Sequence, residues 1–164
     1  MRAAVALPAA LLISATTPGP LDRIAAGESA SAVLDAWCVA HGLPHLHARR
    51  LLQRKTPGAG LRAALNAGRD APIAYRRVRL ACGERTMSEA DNWYLPSRLS
   101  PDMNRQLAVT DAPFGLVVKP LAFRRQTLNA APDAQGRFVI RAELLDRAGA
   151  PFSYVVEHYR TLRP

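Results

Sequence analysis

From Ala74 onward the chain alternates apolar and polar positions, and the part before it does not. From Ala74 to Cys82, Val78, Leu80 and Cys82 fall on one face and Tyr75, Arg77 and Arg79 on the other, which predicts a half-buried strand. Gly83-Glu84 turns the chain, and Thr86 to Leu95 returns as its antiparallel partner. Leu121 to Asn129 is again extended, and Ala130 to Gly136 reads as a loop. Phe138, Ile140, Ala142 and Leu144 alternate as a strand, Arg147-Ala148-Gly149 turns, and Phe152 to Tyr159 forms the last strand.

Helical signals come mainly earlier. Leu21 to Ala26 fits a short helix; Ser29 or Ser31 caps a second, with Val33, Trp37 and Ala40 along one face and Gly42 closing it. Leu46 to Leu52 is a candidate first strand, Thr56 to Gly60 a loop without the Gly-Lys-Ser/Thr ending of a phosphate cradle, and Leu61 to Asn66 a short helix. Pro96 stops the second clear strand. Ser100-Pro101-Asp102 then combines an N-cap, a proline in the first turn and an acid beside the positive helix end, with Met103 and Leu107 facing inward. Thr110 to Gly115 starts another helix, whose N–H groups form an anion seat. Early helices followed by hairpins predict an α+β fold on an antiparallel sheet, with helices packed around it. No repeat or linker divides the chain, so residues 21–164 are expected to form one domain.

Residues 1–20 pair a positive second residue with an apolar run and a Pro/Gly-rich exit, the outline of a signal peptide or a flexible leader. Pro8 interrupts that run, so a cytoplasmic location and a periplasmic or exported one both stand, and no later stretch is long enough for stable membrane insertion. Cys38 and Cys82 match no metal or redox spacing and read as two buried thiols. His41, His45 and His47 lack a neighbouring carboxylate or second cysteine in sequence, so no metal site is assigned.

Charge narrows the partners. The chain of 164 residues carries a net charge of +9, almost all from arginine, since Lys55 and Lys119 are its only lysines. Such a balance favours anionic partners, but the arginines are scattered and form no nucleic-acid-binding block. A monomer that binds a small anionic aromatic molecule, without nucleic acid and without a cofactor, is the expectation. Two ionisable residues within strand patterns are the candidates for chemistry. Arg77 offers a fork matched to a carboxylate, and Glu157 on the last strand is a potential proton carrier if an apolar wall surrounds it. A bulge would exchange Arg77 for Arg76, and both remain open.

The stretch from Tyr75 to Gly115, YRRVRLACGERTMSEADNWYLPSRLSPDMNRQLAVTDAPFG, resembles the middle of the chorismate lyase (chorismate pyruvate-lyase) family. Glu28-Ser29-Ala30-Ser31 and the segment from Gly149-Ala150-Pro151 onward are similar to its upstream segment and final hairpin. The resemblance implies a closed pocket on an α+β fold and cleavage of chorismate to 4-hydroxybenzoate and pyruvate, a step of ubiquinone biosynthesis, with no metal or cofactor. It places the catalytic residues at Arg77 and Glu157 and substrate contacts at Ala30, Phe114 and Gly115. Glu157 stands one residue further from the turn proline than in that family, so the last hairpin needs a bulge or a longer turn. The alternative function is a non-catalytic module that binds or senses a small carboxylate on the same fold.

Overall fold

The structure is a computed structural model in which residues 17–53, 55–56 and 59–160 are described. Six antiparallel strands form one sheet: β1 (Leu46–Leu51), β2 (Ala74–Cys82), β3 (Arg85–Tyr94), β4 (Arg124–Pro132), β5 (Phe138–Leu145) and β6 (Pro151–Tyr159), in the order β1-β2-β3-β6-β5-β4. The α+β class and the antiparallel sheet are as the alternation predicts. β4 runs through Ala130 to Pro132, where a loop was expected. Pro132 is tolerated because β4 is an edge strand and proline has no N–H to give to a ladder.

Helices cover the two faces unequally. On the inner face, α1 (Pro20–Ala25) and α2 (Ala30–Ala40) pack over one end of the sheet. At the other end lie α4 (Pro101–Val109) and α5 (Phe114–Val117). Ser100 caps α4 as expected, its hydroxyl accepting from the Met103 N–H at 3.2 Å. Among the described residues the outer face carries only the short α3 (Ala59–Ala64), near which Leu65, Trp93 and Leu95 form a smaller apolar cluster. The inner layer therefore contains two apolar clusters, and the seam between them lies where α2 meets α5. Gly115 makes that approach possible: a Cβ there would stand 2.9 Å from Ser31 Oγ.

Two irregularities set which side chains face the seam. The β5–β6 register shifts between Leu144 and Leu145, so that Leu144 pairs with Ser153 and Leu145 with Pro151, leaving Phe152 as the extra residue. This is the bulge the displaced Glu157 required, and it keeps Glu157 on the inner face in one row with Val78, Ala90 and Ile140. In β4 the register shifts at Leu128, which returns Ala130 to the inner side.

Cys38 and Cys82 are not thiols. They form a disulfide, Cα–Cα 5.9 Å, that ties the last turn of α2 to the end of β2. Nothing in their spacing of 44 residues signals it; the fold brings two buried cysteines together by packing α2 on the sheet.

Candidate functional site

The seam encloses a small chamber of about 30 Å³, enough for one or two waters and too little for an aromatic acid. Three of the expected contact residues, Ala30, Phe114 and Gly115, lie on its wall, and so does Glu157. Arg77 does not. Its register partners are Asp91 and, one strand further, Val156, which places it on the outer face, opposite Glu157. There it meets Glu89 (Nη2–Oε2 3.2 Å), Gln53 and, at 3.9 Å, Asp91. The pair predicted from the sequence is therefore split across the sheet, because β2 residues of odd number point away from the helical layer. Arg76 does face inward, but its Nη atoms are committed to the carbonyls of Ala112 (2.9 Å) and Thr110 (3.0 Å), clamping the α4–α5 connection, and its Nε is buried with no hydrogen-bond partner among the described residues. Burial holds its pKa below the ordinary arginine value, with the Arg50 charge adding to the shift.

Arg125 takes the position by Glu157. It stands on β4, two residues past Phe123 and on the same side, and both line the chamber. Its Nη1 and Nη2 donate to the two carboxylate oxygens of Glu157 at 3.2 and 2.5 Å. The side chains are 3% and 8% exposed, so this is a buried ion pair. The Tyr159 hydroxyl donates to the same carboxylate at 2.8 Å. Burial pushes the Tyr159 phenol well up, and the neighbouring negative charge adds to it, so it stays a donor. For Arg125, burial works to lower the pKa, but the Glu157 charge and its hydrogen bonds outweigh that and raise it. Arg125 Nε is buried and has no hydrogen-bond partner among the described residues.

The sequence reading missed Arg125 because it is one of a doublet in an arginine-rich chain, on a strand without clear alternation. The one usable signal was its period-two relation to Phe123. The outer face carries its own polar layer. The buried Asp91 accepts from Lys55 Nζ and from the Tyr75 hydroxyl, each at 2.6 Å, and Glu89 accepts from Arg79 at 2.8 Å. Among the described residues no group of His, Cys, Asp or Glu is placed to hold a metal ion. His41 stacks on Trp37, and His45 lies 3.0 Å from Asp35.

With this geometry in view, comparisons place the fold. The isolated effector domain of PhnF from Mycobacterium smegmatis superposes with a TM-score of 0.61 at 16% identity, covering 82% of this chain and 90% of that one. A ligand-binding domain assigned to the GntR family of transcriptional regulators, from Bordetella bronchiseptica, gives 0.55 at 15% identity over 74% and 86%. The C-terminal domain of the histidine utilization repressor from Pseudomonas syringae pv. tomato gives 0.52 at 10% identity over 73% and 97%. The fold is chorismate lyase-like. In sequence, the chain is 38% identical over 147 residues to the uncharacterized protein y4mC of Sinorhizobium fredii. That match covers 82% of this chain and 62% of the relative, so the chain spans under two thirds of the relative's length. No family model matches.

These neighbours correct the expected activity. The solved structures reported above as sharing the fold are effector and ligand-binding domains of transcriptional regulators, and the reading as a chorismate pyruvate-lyase of ubiquinone biosynthesis does not hold. The resemblance was to the fold, and a fold does not carry a reaction with it. No helix among the described residues is long and apolar enough to cross a membrane. Residues 1–16 of the leader lie outside the described residues.

Proposed function

We propose that this chain is a ligand-sensing module, a binder rather than a catalyst, and that it recognises a small organic anion at Arg125. The observation that carries the reading is a buried arginine whose two Nη atoms are held by an internal carboxylate while its Nε is left unpartnered. A buried N–H without an acceptor costs about 1–3 kcal/mol, and a ligand oxygen would remove that cost. Gly115 would shape the same site from the helical side, with Ala30 and Phe114 packing behind it at the chamber. Regulator domains among the structural neighbours support a sensing role for such a site.

The test is thermal stabilisation by small carboxylates such as benzoate and 4-hydroxybenzoate. The control is the Arg125→Met/Glu157→Leu double variant, which replaces the ion pair by apolar groups of similar size. A rise in melting temperature in the wild type and none in the double variant is expected. An equal rise in both, or none in the wild type, would refute the reading.

A further inference from the structure

The chamber is too small for the ligand, but it is not isolated. On the far side of Arg125 a cleft of about 570 Å³ opens to the surface, in the size range of small-molecule sites. Arg125, Phe123, Gly115 and Ser29 line both spaces. Two features give the cleft a chemical character. Its wall includes Leu116 and Phe123, and Leu116 is 38% exposed, one of few large apolar side chains left in solvent. Its charged lining is Lys119, Arg124 and Arg125, with no acid. Glu157 neutralises Arg125, which leaves Lys119 and Arg124 as the cations of the cleft without an ion-pair partner among the described residues.

The first turn of α2, an eleven-residue helix, supplies the third element. Ser29 is its N-cap but makes no side-chain cap bond, so the turn's N–H groups keep their capacity for an anion. A helix start alone would say little. Here a second observation accompanies it: among the described residues, the charged lining of the cleft beside this turn is entirely cationic. The close packing of the surrounding backbone favours a preformed cleft. At Gly27, where φ is +109°, a Cβ would stand 3.1 Å from the Arg125 carbonyl oxygen, so the loop before α2 lies against β4.

From this arrangement we infer the class of ligand, resting on the sensing role proposed above. It is an organic acid with a compact apolar body, lying in the cleft between α2, α5 and β4. Its acid group lies among Lys119, Arg124 and the first turn of α2 and leaves the Arg125–Glu157 pair in place. The apolar body covers Leu116 and Phe123, and a second anionic group gains from Lys119 and Arg124. The apolar body carries more of the affinity than the exposed rim charges, which solvent and salt screen.

Isothermal titration of the full chain with benzoate, terephthalate and succinate tests the inference. Terephthalate is expected to bind tightest and benzoate next, with succinate, a dianion without an apolar body, at least tenfold weaker than benzoate. Leu116→Asp, at an exposed position where folding is not at risk, should weaken benzoate at least tenfold. Lys119→Glu should remove the advantage of terephthalate over benzoate. If Leu116→Asp binds like the wild type while the Arg125→Met/Glu157→Leu variant does not bind, the sensing site stands and the cleft assignment falls. Succinate binding as tightly as benzoate would overturn the apolar part. If no acid binds the wild type, both readings fall together.

Discussion

Removing Glu157 from its pair with Arg125 is the most informative single change. The two side chains are 3% and 8% exposed, so the guanidinium of a Glu157→Ala variant would remain buried with neither its counter-ion nor its two acceptors. Breaking a buried pair from one side costs about 3–5 kcal/mol, because an uncompensated charge is left in a poorly solvated place. The Tyr159 hydroxyl would also lose its acceptor, which adds about 1 kcal/mol. With a urea slope near 2 kcal/mol per M, a loss of about 4 kcal/mol lowers the unfolding midpoint by roughly 2 M. Arg125→Met should cost a similar amount, since it strands the carboxylate instead. The double variant Arg125→Met/Glu157→Leu should lie much closer to wild type, because the desolvation cost of both ions disappears with their attraction. Urea denaturation of the four proteins closes a double-mutant cycle, and a coupling of at least 1–2 kcal/mol is expected for groups in direct contact. Single variants that each lose less than 1 kcal/mol would show a solvated pair and sink the reasoning. Benzoate should recover part of the stability of Glu157→Ala, since an added carboxylate can take the vacated Nη edge.

Other consequences are open to simpler checks. Alkylation under denaturing, non-reducing conditions should leave Cys38 and Cys82 unmodified by mass. Reducing the bridge, which spans 44 residues, should cost about 4 kcal/mol on the loop-entropy estimate. That corresponds to roughly 8–16 °C in melting temperature for a domain of this size. Arg77→Ala should lose no more than about 1 kcal/mol in denaturation and leave benzoate affinity unchanged, because its partners lie on the outer face away from the chamber. For His158, burial and then the Arg137 charge hold the pKa below the ordinary histidine value. The unfolded chain therefore binds more protons near pH 6 than the folded one, so stability is present above about pH 6.5 and is lost as pH falls through that range. His158→Asn should flatten this part of the wild-type stability curve between pH 7.5 and 5.5; an unchanged slope would refute the assignment.

How much of this was legible beforehand depends on the kind of residue. Strand β2 and the helix capped by Ser100 were readable to within a residue or two, because alternation and capping are local chemistry. Ala30, Phe114, Gly115 and Glu157 were placed around one pocket through a likeness to a family whose fold the chain shares. Arg77 was not, because it was carried over from the family against the alternation of its own strand. Val78 and Leu80 pointed to the inner side, and on that logic Arg76, not Arg77, had to accompany them.

The sequence by itself determined the class of the fold and the position of most strands, while the bulge in the last hairpin, or a longer turn in its place, was implied only by the family resemblance. The class and the strands depend on contacts within a few residues of each other along the chain. Tertiary structure alone decided the partners: Arg125 for Glu157 across 32 residues, Cys38 for Cys82 across 44, and Ser31 against Gly115 at the seam. Each is a product of strand order and register, which bring β4 and β6 to either side of β5 and α2 onto α5. Pairings at such separation form when buried surface repays the entropy of closing long loops, and no local pattern along the chain encodes that exchange.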